Sequence, residues 1–347
     1  MCYTSTTYYK KGETIISHQA NRSILFDNIK GILIFLVVFG HALEYFRLDN
    51  PFIETLYTFI YLFHMPVFVF ISGYFSKNLN KGRKTAVTNF LIPFLLLNSI
   101  LSIGLVLSGN IDSFTILNPG WTLWYFYTMF IWRLLLPDLI RVRHVFMLSL
   151  LAGILAGFVT EFGTFMALAR TLSFSPYFLA GYFFNEASVE KIRQYPWRKL
   201  ASIGIISAGI LLAITWNLLD FPAEILWGDR PFSFFKLPLY QNILLDIIEY
   251  LIGFGFVFVF LALVKSKKHF YTPWGANTLS VYLLHIYFIG PVLYLAQWIQ
   301  NPWLHFGILL FASLLATHVL SKHKVVTVVR KLLAKIIITI MPPKKEK

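Results

Sequence analysis

A chain of 347 residues that is 57% hydrophobic and 13% charged, with mean hydropathy +0.66, is too apolar for a soluble domain, where roughly 45–50% apolar and about 25% charged residues are usual. The net charge of +14 points to nucleic acid only if the positions of the charges are ignored, and the single cysteine, Cys2, excludes internal disulfides, cysteine-ligated zinc, iron–sulfur clusters and a buried cysteine nucleophile. No H-E-x-x-H, no G-x-S-x-G and no glycine-rich phosphate loop occurs, so the sequence calls for no metal and no permanently bound cofactor.

In chain order, residues 1–28 form a polar tail with Lys10, Lys11 and Arg22. The apolar run that follows has no small-residue cleavage site and reads as a retained span rather than a removed signal peptide. A helix needs about 20 apolar residues to cross a bilayer. Runs of that kind fall at 29–46, 52–75, 86–107, 121–136, 144–160, 165–184, 200–219, 243–264, 277–296 and 303–320. They predict an all-α, polytopic membrane bundle of about ten helices occupying 29–320. With the N-terminus placed in the cytoplasm, 25 of the 30 Lys and Arg residues fall on inner segments, a positive-inside pattern. Both termini are therefore expected in the cytoplasm of a multi-pass protein of a cell membrane, the bacterial plasma membrane being the expected one. The +14 then faces anionic lipid of the bilayer rather than nucleic acid. Residues 321–347 form a basic tail, whose stretch 325–340 carries Arg330, Lys331 and Lys335 in its middle, as an interfacial helix does.

Ionisable side chains at bilayer depth are costly and by default mark function. In DNIKGILIFLVVFGHALEYF, Lys30 and His41 are eleven residues apart. Eleven steps of about 100° return to within roughly 20°, so both share one helix face with a rise of about 16 Å between them. Asp27 can pair with Lys30, and Glu44, three residues after His41, can orient its ring. The bland alternative is a snorkelling lysine and a packing histidine. His64, before Met65 and Pro66, is either the wall of a site or the partner of a carbonyl that the proline frees. Trp121 and Trp124 in WTLWYFYTMFIW read as an interfacial belt or as a sugar-stacking surface, and Arg133 follows inside the same run. The segment 220–238, DFPAEILWGDRPFSFFKLP, reads as an outer loop able to lie over a site. Asp246 and Glu249 share a face near the outer leaflet and are expected to meet Arg170. In ANTLSVYLLHIYF, Asn277 and His285 are candidates for a pocket wall or for packing.

Taken in order, DNIKGILIFLVVFGH, FHMPVFVFISGYF, KGRKTAVTNFLIPF, WTLWYFYTMF, SFSPYFLAGYFF and ANTLSVYLLHIYF resemble the integral-membrane acyltransferases of the acyltransferase 3 family, closest to its fucose 4-O-acetylase-like branch. The resemblance covers about residues 27–290. It implies a bundle of ten-odd helices that moves an acyl group, usually acetyl, from cytoplasmic acyl-CoA to a hydroxyl of an extracytoplasmic or lipid-linked carbohydrate. The family's first-span histidine corresponds to His41, and its arginine eleven residues earlier corresponds to Lys30, a point charge without the arginine fork. Its basic residues after the second span correspond loosely to Lys81, Arg83 and Lys84.

The expected assignment follows from these residues together. Lys30, Lys81, Arg83, Lys84 and Arg133 bind the phosphates of acetyl-CoA, the donor co-substrate. His41, supported by Glu44, acts as general base or acyl carrier. His64, Trp121, Trp124, Asn277 and His285 line the acceptor pocket. The alternative is a proton-coupled transporter or exporter of an acyl compound or glycan precursor. No inverted repeat supports that alternative.

Overall fold

The computed structural model describes residues 23–109, 114–120 and 122–342. Among these residues the chain is helical, with no strand. The helices run in the order α1 (Ile24–Leu43), α2 (Pro51–Tyr61), α3 (His64–Tyr74), α4 (Leu79–Lys84), α5 (Ile92–Leu107), α6 (Trp124–Leu139), α7 (Val145–Ala156), α8 (Leu168–Ser173) and α9 (Ser175–Phe183). They continue with α10 (Glu186–Gln194), α11 (Arg198–Leu218), α12 (Phe232–Phe235), α13 (Leu239–Leu263), α14 (Thr272–Ala276), α15 (Thr278–Ala296), α16 (Pro302–Leu320) and α17 (His323–Ile340).

Each of the ten apolar runs falls on helix, but they are not ten equal spans. Among the described residues, seven helical stretches are long and apolar enough to cross a membrane: Ile24–Leu43, Pro51–Tyr74, Val87–Leu107, Arg198–Leu218, Leu239–Leu263, Thr278–Ala296 and Pro302–Leu320. The runs at 121–136, 144–160 and 165–184 give shorter helices, α6 of 16 residues, α7 of 12 and the broken pair α8–α9. The third of these is cut short by backbone geometry. Met166 and Ala167 are left-handed, and Pro176 lies in the first turn of α9. A left-handed residue cannot continue a right-handed helix.

α1 is the central helix. Ile29, Leu33, Ile34, Val38, Ala42 and Leu43 are fully buried, and α3, α14, α15 and α16 surround it. Its first half is fixed by backbone contact. A Cβ on Gly275 would overlap the carbonyl of Asp27, and one on Gly31 would crowd the carbonyl of Tyr271. Small residues let helices approach this closely where no hydrophobic force drives them together in lipid. The buried Asn28 ties the same end down: its amide donates to the carbonyls of Lys265 and Lys267, 2.7 Å each, and its oxygen accepts from Thr272 at 2.5 Å.

α2 and α3 are one apolar run broken at Leu62 and Phe63. The His64 ring donates from Nδ1 to the carbonyl of Ile60 at 2.9 Å, across the break. α3 then packs backbone to backbone on α9, where a Cβ on Gly73 or Gly181 would collide with the carbonyls of Phe178 and Phe70. On the outside, α11 leaves Leu200, Ile203, Leu211 and Leu218 exposed, an apolar surface suited to lipid. The stretch 325–340 is part of one helix, α17, which buries only Val326 and Leu333.

Candidate functional site

The C-terminal end of α1 opens on a cavity of about 240 Å³. α1 contributes Val37 and His41, with Glu44 just past its end. The broken α2–α3 helix contributes Tyr61, His64 and Met65, and α6, α8 and α15 add Trp124, Arg170 and Tyr282. The segment 220–238 supplies Leu226, Trp227, Asp229 and Arg230, so this segment lines the cavity.

His41 and Glu44 are both largely buried, at 12% and 19% side-chain exposure. Their direct contact, Nδ1 to Oε2, is long at 3.5 Å. The Tyr61 hydroxyl stands 3.3 Å from the same Nδ1 and donates to the same Oε2 at 3.4 Å. The His285 ring stacks on His41 with centroids 5.5 Å apart and planes at 22°. Nδ1 of His285 faces the carbonyls of Val281 and Tyr282 at 3.1 and 2.9 Å. Carbonyls only accept, so the partners of His285 and His64 assign the proton to Nδ1 in both rings. When either ring is neutral, its Nε2 is an acceptor.

The covering segment is held by charge. Arg170 contacts Asp229 at 2.7 Å, donates from Nε to the carbonyl of Trp227 at 3.0 Å, and lies over the Trp124 ring at 5.1 Å. Arg47, just beyond Glu44, contacts Glu224 at 2.5 Å and lies over the rings of Tyr57 and Trp227. Trp227 in turn donates to the Tyr57 hydroxyl at 2.9 Å. The expected partners of Arg170 were Asp246 and Glu249, and that expectation is corrected here. The guanidinium is taken by Asp229, which the covering segment carries to it.

The structure brings His41, Glu44, His64 and Trp124 to one cavity, with His285 stacked against its histidine. Trp124 is 7% exposed, a wall residue rather than part of a lipid-facing belt. Trp121 lies outside the described residues. Asn277 is elsewhere, its amide donating to the carbonyl of Ser321 past the end of α16.

The basic candidates sit on α1, α4 and α6. Lys30 pairs with Asp27 at 2.9 Å and lies 5.8 Å from the Phe75 ring, where α3 ends and leads toward α4. Arg133 lies across Gly82, which has no side chain to obstruct it, and Arg83 contacts Asp138 at 3.2 Å. Lys81 and Lys84 flank that turn on α4. None of the five lines the cavity.

Tyr61, Trp227, Asp229 and Arg230 were missed among the candidates. Tyr61 had a usable signal, since it precedes His64 by three residues and so shares its face if the helix continues. Trp227 ends a short 3-10 turn, Ala223–Trp227, and Asp229 and Arg230 follow in loop, too little regular structure for a register to predict direction.

A family described as an acyltransferase domain, acyltransferase 3, matches residues 24–322. The chain is also similar to nodulation protein NolL of Sinorhizobium fredii (strain NBRC 101917 / NGR234), 50% identical over 60 residues, 16% of each chain. It is 39% identical over 84 residues, 22% of each chain, to nodulation protein NolL of Mesorhizobium japonicum (strain LMG 29417 / CECT 9101 / MAFF 303099). The chain thus spans about a fifth of the length of these curated relatives. No solved structure matches it.

Proposed function

This chain belongs to the acyltransferase 3 family, and on that premise we propose that it is a membrane O-acyltransferase. Its donor is cytoplasmic acyl-CoA, its acyl group acetyl, and its acceptor a hydroxyl of a cell-surface or lipid-linked carbohydrate. The observation that carries the proposal is the His41 cavity: a largely buried histidine, braced at Nδ1 by a tyrosine and a carboxylate, under a segment held by two ion pairs.

The chemistry needs one group that takes a hydroxyl proton as the oxygen attacks the thioester carbonyl. His41 does so as general base. The C–S bond then breaks, and the imidazolium returns the proton to the departing CoA thiolate. In the two-step form His41 attacks the thioester first and CoA leaves as the thiolate; the acceptor oxygen then displaces the imidazole, and its proton goes to that thiolate. Arg170 and Trp124 supply donors and an aromatic face for a polyhydroxyl acceptor, His64 supplies an acceptor nitrogen, and His285 backs the His41 ring. Lys30, Lys81, Arg83, Lys84 and Arg133 lie apart from the cavity, where phosphates of a long donor bind while its thioester arm reaches inward. Positive-inside charge supports a cytoplasmic position for that group. The same charge pattern supports cytoplasmic termini, and the basic α17 suits the anionic inner leaflet of a bacterial plasma membrane.

Purified protein in detergent, given acetyl-CoA labelled in the acetyl group and a mixture of glycan acceptors, tests the proposal. Label should appear in ester linkage on carbohydrate without any ion gradient. Gradient-driven uptake in liposomes with no ester formed would instead favour the transporter.

A further inference from the structure

We infer that Tyr61 is a positioning residue that completes a Glu44–Tyr61–His41 relay and fixes which nitrogen of His41 does the chemistry. The inference rests on the proposed acyl transfer at His41. It starts from three distances. The direct Glu44–His41 contact, 3.5 Å, is longer than either leg through the tyrosine hydroxyl, 3.3 Å to Nδ1 and 3.4 Å to Oε2. A hydroxyl has one proton to give and two lone pairs. An ionised carboxylate only accepts, so the Tyr61 proton goes to Glu44. The Tyr61 oxygen is then an acceptor, and what faces it from His41 is a donor, Nδ1–H. The relay therefore runs Nδ1–H to Oη, and O–H to Oε2. In the neutral ring the lone pair is left on Nε2, the nitrogen that takes the acceptor proton or the acyl group. Through the hydroxyl, the Glu44 charge also stabilises the imidazolium that forms in either version of the reaction.

The ring of Tyr61 is held in place independently of that hydroxyl. It stacks on Tyr57 with centroids 4.0 Å apart and meets the His64 ring edge-on at 4.7 Å. It is 8% exposed. Tyr57 is itself fixed by the Trp227 hydrogen bond and by the Arg47 guanidinium. So the segment that covers the cavity also sets the ring that sets His41. A side chain kept only for packing would need the ring and not the hydroxyl.

Purified Tyr61→Phe, Glu44→Gln, the double variant Tyr61→Phe/Glu44→Gln and His41→Ala should be compared for kcat and for KM toward acetyl-CoA. Each variant is first checked for a monodisperse elution profile. Tyr61→Phe should lower kcat by about 10- to 100-fold, less than the roughly 100- to 10,000-fold contributed by a group that itself transfers the proton, with KM for acetyl-CoA within about twofold of wild type. Glu44→Gln should fall similarly, and the double variant should be little worse than either single one, because both break one relay. Near-wild-type kcat for Tyr61→Phe beside an inactive His41→Ala would overturn the relay and leave the acyl-transfer reading standing. Losses that multiply in the double variant would also overturn it. An active His41→Ala would overturn the reading at His41 and the relay with it.

Discussion

The surroundings of the two ends of α1 differ in how many of their charges are enclosed. Near its start Lys30 and Asp27 form an enclosed pair, 12% and 6% exposed, but on the neighbouring α4 Arg83 and Lys84 are exposed, and the Arg83–Asp138 pair leaves about half of each side chain in solvent, 49% and 57%. At its far end the charged groups are enclosed. Arg170 and Asp229 are 13% and 5% exposed at 2.7 Å, and Arg47 is 10% exposed against Glu224. An exposed pair is worth about 0–1 kcal/mol and exchanges partners readily. A buried pair is costly to assemble and costlier to break. The difference fits a division of labour in which exposed cations on α4 receive a flexible, phosphate-bearing donor, while a rigid cavity positions one bond for reaction.

Breaking the buried side of that contrast should have the largest effect. Arg170→Met leaves Asp229 enclosed without its 2.7 Å cation, a loss of about 3–5 kcal/mol. It should appear as a large drop in thermal stability and as protease sensitivity in 220–238. Stability within about 1 kcal/mol of wild type would place this pair in the same class as an exposed one. Trp227→Phe keeps an aromatic ring and removes one donor to Tyr57. About 1–3 kcal/mol for the unpaired group is the expected cost, together with a lower kcat, since the ring under Tyr61 loses its anchor. The smallest stability effect belongs to the exposed pair. Arg83→Ala should change stability by less than about 1 kcal/mol, yet raise KM for acetyl-CoA severalfold. Unchanged KM there would remove Arg83 from the donor site.

The same contrast explains what was legible in the sequence. Apolar length and the Lys30–His41 spacing are local properties, so the helical runs and the shared face of α1 could be read directly. The break before His64 was legible for the same reason, because Pro66 sits in the run itself. The partner of Arg170 was not. Reasoning by depth pointed to Asp246 and Glu249, but Asp229 comes from a covering segment with no period, and its position depends on how that segment folds back over the bundle. The stacking of His285 on His41 belongs to the same class, a meeting of α15 with α1 that no spacing within either helix encodes. The broken pair α8–α9 shows the reverse limit, since a hydrophobic run does not reveal left-handed residues such as Met166 and Ala167 within it.

The division of labour along α1 is tested most directly by initial rates of acyl transfer against acetyl-CoA concentration for Lys30→Gln and His41→Ala, both confirmed as membrane-inserted. Lys30→Gln should raise KM for acetyl-CoA with kcat largely kept, and His41→Ala should abolish turnover at every donor concentration. Saturating turnover by His41→Ala, or loss of kcat rather than of donor affinity in Lys30→Gln, would contradict the assignment of chemistry to one end of the helix and donor binding to the other.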